Sequence, residues 1–438
     1  MTWTQRGARV LPAGIPLLLA LLLALPAGAQ TVAVRGATLH TLAGEPVVGN
    51  VVAVDGRITA VGPDAVIPAG ASVIDGAGRH VYPGLFDAAT QLGLTEIGAV
   101  DVTNDSREQG LFNPHLRAMT AVHPPSEHIP VARANGVTHT LTLPRGGAGG
   151  IAGQGSLLNL DGWTVEEMVV APGAALVVEW PRKRGGPGRF GGFGPGAGGN
   201  PADLARRYQD GVEQLTAWFE AARNYRASWA GGPVGRDLRL EALGPVLDGT
   251  LPLLIAADDG DQVRDAVTWA EEQGVRVIIA GANAAGDEAG FLAERGVGVI
   301  LGPTQRLPGG PDAPYDEAYA LPGRFHQAGV KIAFGTFNSS DSRTLPYEAA
   351  QAVPFGLPRE AALRAVTVNA AELLGLGGEL GTLEVGKRAN FIVTDGDPLV
   401  IQTRILNLII DGREVDTMNR HRALYERYRA RPLPGGRR

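Results

Sequence analysis

Several residues of this chain have the chemistry to act on a substrate, and most fall near the ends of strand-like runs. Asp87, Asp258, Asp259 and Asp341 are carboxylates placed where a general acid or base can work without a metal. Asp258 and Asp341 are the best placed as catalytic candidates, because they follow the runs Leu251 to Ala256 and Lys331 to Phe334. The competing role for each is a helix cap or a solvent contact. His123 and His128 bracket Glu127, three metal-capable side chains close together, but Pro124-Pro125 keeps them off a regular element and the stretch reads as an exposed loop. Pro144 to Ser156 is rich in glycine, either a backbone nest that holds an anion with help from Arg145 or a sharp turn after a strand. Gln91 and Asn338 add amide groups as binding candidates beside it. No Ser-x-x-Lys, Gly-x-Ser-x-Gly or P-loop pattern occurs, so serine nucleophiles and nucleotide-phosphate chemistry have no support.

The elements that must position these residues are legible as alternating runs. Val137 to Leu143, Ala174 to Glu179, Leu251 to Ala256, Val275 to Ala280, Val297 to Leu301 and Lys331 to Phe334 read as strands. Helical patterns at Pro201 to Arg226, Gln262 to Gln273 and Pro358 to Leu374 fall among or after them, which predicts βα units and a parallel sheet. Both ends of the chain have a different texture. Val51 to Val54 and Ile58 to Val61 flank Asp55-Gly56, and Ala389 to Thr394 and Leu406 to Ile410 lead into Asp395-Gly396 and Asp411-Gly412, hairpin signals that predict one small β module built from both termini. Gly185 to Gly199, with Arg189, Phe190 and Phe193, reads as a flexible surface insertion.

Composition sets the setting. The 438 residues suffice for a large core, and a net charge of −6 with mixed signs excludes a nucleic-acid footprint, although the stretch from Arg413 to Arg438 is locally basic and reads as a solvated end. Arg6 and Arg9, the apolar run Ile15 to Leu25 and Ala27-Gly28-Ala29 form a secretory signal pattern. A mature protein that begins near Gln30, periplasmic or secreted and without membrane attachment after cleavage, is the expectation; the absence of cysteine agrees with it.

Three regions resemble the amidohydrolase superfamily in its imidazolonepropionase-like branch. They are Asp55-Gly56-Arg57-Ile58 with Val73 to Gly76 and Pro83-Gly84-Leu85-Phe86-Asp87; Gly136-Val137-Thr138 with the glycine-rich stretch; and Thr367 to Leu376, Gly381 to Asn390 and Asp397-Pro398. The resemblance implies an α/β fold, a (β/α)8 barrel over residues 83–375 carrying the insertion 185–199, with a β-sandwich from 30–82 and 376–415; the residues outside it read, as above, as a signal peptide at 1–29 and a basic tail at 416–438. It also implies zinc or another divalent metal in active relatives, some of which add a carboxylated lysine on the fourth strand to a His-x-His pair on the first, histidines ending the fifth and sixth, and an aspartate ending the eighth. The histidine and aspartate positions fall on Ala89, Gln91, Ala256, Ala280 and Phe337, none of them a good ligand. Sliding the register does not help, since no histidine lies between His139 and His326 and Lys183 is the only lysine in that interval. The expectation is therefore no metal and no other cofactor, and a degenerate member that binds a small amide, imide or peptide-like ligand or pairs, as a homo- or hetero-oligomer, with an active paralogue. The alternative is a hydrolase of non-peptide carbon–nitrogen bonds that uses Asp258 or Asp341 with a rearranged or absent metal.

Overall fold

The computed structural model describes residues 31–183, 200–231, 235–308 and 313–431. The signal pattern, the insertion 185–199 and the last residues of the basic tail lie outside them. The N-terminal strands are β1 (Thr31–Leu39), β2 (Val47–Val54), β3 (Arg57–Gly62), β4 (Ser72–Asp75) and β5 (His80–Pro83). The barrel strands are β6 (Leu85–Thr90), β7 (Val137–Thr142), β8 (Gly150–Asn159), β9 (Val169–Glu179), β10 (Leu253–Asp259), β11 (Val277–Ala284), β12 (Gly298–Leu301) and β13 (Ile332–Phe334). Three strands, β14 (Phe391–Thr394), β15 (Ile405–Ile410) and β16 (Arg413–Val415), complete the chain.

The terminal module takes the form of one hydrogen-bonded sheet, ordered β16-β15-β14-β5-β1-β2-β3 with β4 also on β1. Asp55 and Asp411 adopt left-handed backbone conformations at φ 48° and 46° before Gly56 and Gly412, as the Asp-Gly signals require. Val34, Leu39, Val51, Ile58, Phe391 and Ile409 come from both ends of the sequence into one buried cluster.

The barrel sheet runs β6 to β13 in order, with both faces buried. It departs from strict βα repetition at its third strand: β8 is antiparallel to both β7 and β9, and no crossover helix separates β7 from β8. The stretch expected as a turn or nest is thus in large part a strand, from Gly150 onward. Its glycines serve close backbone approach, for Asn113 N–H donates to the Ile151 carbonyl, and a Cβ on Gly150 would stand 2.3 Å from the Leu111 carbonyl oxygen. The helices Pro201–Gly231 and Gly260–Glu272 form where periodicity predicted them. Asp259 is an N-cap, its carboxylate accepting from Gln262 N–H at 2.9 Å in a capping box, which removes it from the catalytic candidates.

The first and last barrel strands share no ladder, and the seam between them is closed at Gly335. Phe337 N–H donates to the Ala89 carbonyl at 2.7 Å, and a Cβ on Gly335 would lie 2.6 Å from the Ala89 Cβ. Gly335→Ala is expected to destabilise the protein by roughly 1–3 kcal/mol through overpacking, read as a lower urea midpoint. An unchanged midpoint would mean that the seam is not packed this tightly.

Candidate functional site

A cavity of about 600 Å³ opens at the C-terminal ends of the barrel strands. Gln91 stands in its wall just beyond β6, Arg145 beyond β7, Asn283 in β11, Gly302, Pro303 and Arg306 beyond β12, and Thr336 to Asp341 beyond β13, with Glu96 from a loop and His128 from the start of a short helix. Sequence reasoning named Gln91, Arg145, Asn338 and Asp341, and the structure brings all four to this wall. It missed Glu96, Asn283, Arg306 and Thr336, which lie in irregular loops or at strand ends where no periodic signal marks direction.

The floor of the mouth is apolar. Ala89, Ala280 and Phe337 belong to one buried cluster with Phe86, Leu254 and Ile300. Ala256 pairs in register with Ala280 across β10 and β11. Phe337 sits at φ 54°, an unusual conformation for a bulky residue, held by its bond to Ala89. Among the described residues no three histidine, aspartate or glutamate side chains gather where a metal could sit.

The carboxylates divide by environment. Asp87, expected near a strand end, lies within β6 and is fully buried. It accepts from Thr336 N–H at 3.0 Å, the Thr336 hydroxyl at 2.5 Å, the Ser342 hydroxyl at 2.9 Å and Ala89 N–H at 3.3 Å. Burial pushes its pKa from 3.8 up to about 7, against the pull of those four donors. Asp258 accepts from the Asn283 amide at 2.8 Å, behind the cavity wall, and Asp341 faces the cavity and accepts from the Ser340 hydroxyl at 3.1 Å. Asn338 spends its side-chain carbonyl on Ser340 N–H at 2.9 Å.

Two groups carry the cavity's cations. Buried Glu348 accepts from Thr304 N–H at 2.7 Å and Gln305 N–H at 3.0 Å, which fixes the loop that presents Arg306. Burial raises the Glu348 pKa, and these donors oppose it. Arg306 itself donates to the Asn283 carbonyl at 3.0 Å. Arg145 has its pKa lowered by burial, an effect that the Glu179 carboxylate at the end of β9 offsets. His128 begins the helix His128–Arg133, contrary to the loop reading, and its ring meets the Glu96 carbonyl at 2.9 Å. His123 and Glu127 are exposed and turn elsewhere, Glu127 toward Arg420 at 3.8 Å.

Comparison with known proteins agrees with this architecture. A family model described as "Amidohydrolase family" matches residues 265–418. The crystal structure of an amidohydrolase from Thermotoga maritima MSB8 superposes with a TM-score of 0.76 at 25% identity, over 89% of this chain and 100% of that one. This chain belongs to the amidohydrolase superfamily. Within it, an imidazolonepropionase of Sphingopyxis alaskensis is 45% identical over 18% of this chain and 20% of its own length, in keeping with the imidazolonepropionase-like branch. Amidohydrolase tasK of Hapsidospora irregularis is 24% identical over 83% of this chain, which spans 39% of that protein's length.

For this amidohydrolase-superfamily member, the raised Asp87 pKa makes a prediction with a definite sign. The fold prefers the protonated carboxyl, so its contribution to stability is full below pH 3.8 and is lost as pH rises to about 7. Asp87→Asn cannot ionise. Its urea midpoint is expected to gain on the wild type steadily between those two values and to run parallel above them; a constant difference throughout would refute the shift.

Proposed function

We propose that this chain is a catalytically degenerate amidohydrolase that binds a small amide, imide or peptide-like ligand in the barrel mouth. One observation carries the reading. Gln91 Nε2 and Glu96 Oε1 are both buried without a hydrogen-bond partner, and both residues line the cavity. A donor and an acceptor left unsatisfied cost stability, and an amide supplies the complement of each: its carbonyl accepts from Gln91 and its N–H donates to Glu96.

The donor set supports degeneracy. Four of the five positions that the family resemblance assigns to metal binding or proton transfer carry Ala89, Ala256, Ala280 and Phe337, without lone pairs to offer, and the fifth carries a neutral amide. A divalent cation does not fit these residues.

A second reading rests on Asp341, which faces the same cavity beside Thr336, whose hydroxyl is anchored on Asp87. There Asp341 would act as general base toward water on a reactive carbon–nitrogen bond.

Titration calorimetry with a cyclic imide, a cyclic amide and a dipeptide separates these readings. Binding without turnover is expected, weakened about tenfold by Gln91→Leu and by Glu96→Leu. Turnover that survives a chelator and is abolished by Asp341→Ala would favour the second reading. Stoichiometric zinc in the purified protein, together with turnover, would sink the first.

A further inference from the structure

The helix Arg420–Arg429 stands on the surface with none of its residues buried. Propagating about 100° per residue places Leu424, Tyr425 and Tyr428, with His421 among them, along one stripe, with Arg420 and Arg427 on one edge and Arg422 and Arg429 on the other. Glu426, Ala423 and Ala430 occupy the back. The stripe is open to solvent, with Leu424 37%, Tyr425 63% and Tyr428 46% exposed.

The helix is nonetheless oriented. Asn419 caps it by accepting from Arg422 N–H at 3.0 Å, and Arg420 reaches Glu127 at 3.8 Å. A surface groove includes Asp416, four residues before the helix; it is lined also by Pro124, Pro125, Asp161, Glu414 and by Trp163, which is 93% exposed. Tryptophan, tyrosine and arginine are the residue types that settle at the boundary between headgroups and acyl chains.

We infer that this helix is a docking surface for an anionic lipid membrane, on which it lies flat. Charge complementarity points there: the helix carries four arginines against one glutamate on a chain whose net charge is −6, and while Arg420 reaches Glu127 and Arg429 pairs with Glu426 at 2.7 Å, Arg422 and Arg427 make no ion pair among the described residues. A stripe of leucine and tyrosines around His421, bracketed by cations on both edges, suits the interfacial layer of a lipid membrane, where the rings sit at headgroup level and the arginines meet phosphates on either side. Nucleic-acid binding would place the cations at the centre of the face. A second copy of the chain would gain too little, since three side chains fall far short of the ~1,000 Å² that a stable protein interface needs. No helix among the described residues is long and apolar enough to cross a membrane, and none is required to.

The test is co-sedimentation of the full chain with vesicles of phosphatidylcholine alone and with added phosphatidylglycerol. Residues 1–29 are common to every variant, so differences between variants report the helix. Binding that requires phosphatidylglycerol and weakens with salt is expected; Arg422→Gln and Arg429→Gln each lower it about fivefold, and Leu424→Glu with Tyr428→Glu abolishes it. Ala423→Gln on the back face leaves it unchanged. Because no residue of the helix is buried, circular dichroism and the urea midpoint should match the wild type in all of them. Equal binding by the wild type and the Leu424→Glu, Tyr428→Glu variant overturns the inference. So does a shift in oligomeric state or in duplex DNA binding that this variant alone removes, which would name a different occupant.

Discussion

The constraint on which the barrel depends is the join between its first and eighth strands, where a buried carboxyl group and the Phe337 N–H bond to Ala89 stand in place of a ladder. Asp87 gathers donors from Thr336, Ser342 and Ala89, and the Thr90 and Ser342 hydroxyls meet at 2.7 Å beside it. A polar group sealed in an apolar wall is costly unless its partners converge, and here they converge from both sides of the seam. The same network fixes Thr336 and, through the Phe337 N–H bond to Ala89, the loop that walls the cavity.

Much of the fold was legible because periodicity and turn chemistry speak locally. The runs ending before Asp258, at Ala280 and before Phe337 became the fifth, sixth and eighth strands, and Asp55-Gly56 and Asp411-Gly412 became tight hairpins, whereas Asp395-Gly396 opens the longer connection from β14 to β15. The direction of β8 was not legible: Gly150 to Gly155 carries turn-like composition, and only the chain crossing at Leu111 to Leu116 shows why glycine is needed in a strand there. Asp87 misled for a related reason, since an isolated carboxylate in a strand reads as an end when its partners lie some 250 residues away in sequence.

The site was half legible. Gln91 and Asp341 follow strands in the sequence and so could be placed at the mouth, whereas Glu96 and Arg306 reach it only because loops fold back. Glu348 shows the mechanism: a buried glutamate on a helix holds two backbone N–H groups of a distant loop, and that long-range clamp, not local propensity, points Arg306 inward. The resulting wall offers hydrogen bonds and charge of both signs.

The order of strands in the terminal sheet has a consequence for synthesis. β5 lies between β1 and β14, so Pro83 finds its partner Phe391 only after the whole barrel has been made. Until then the N-terminal strands carry a bare edge, ready to pair with any extended segment nearby. A ribosome-bound or translocating chain must keep that edge occupied or shielded for most of its length, which makes biogenesis, more than the finished fold, the stage at which this protein is exposed to aggregation.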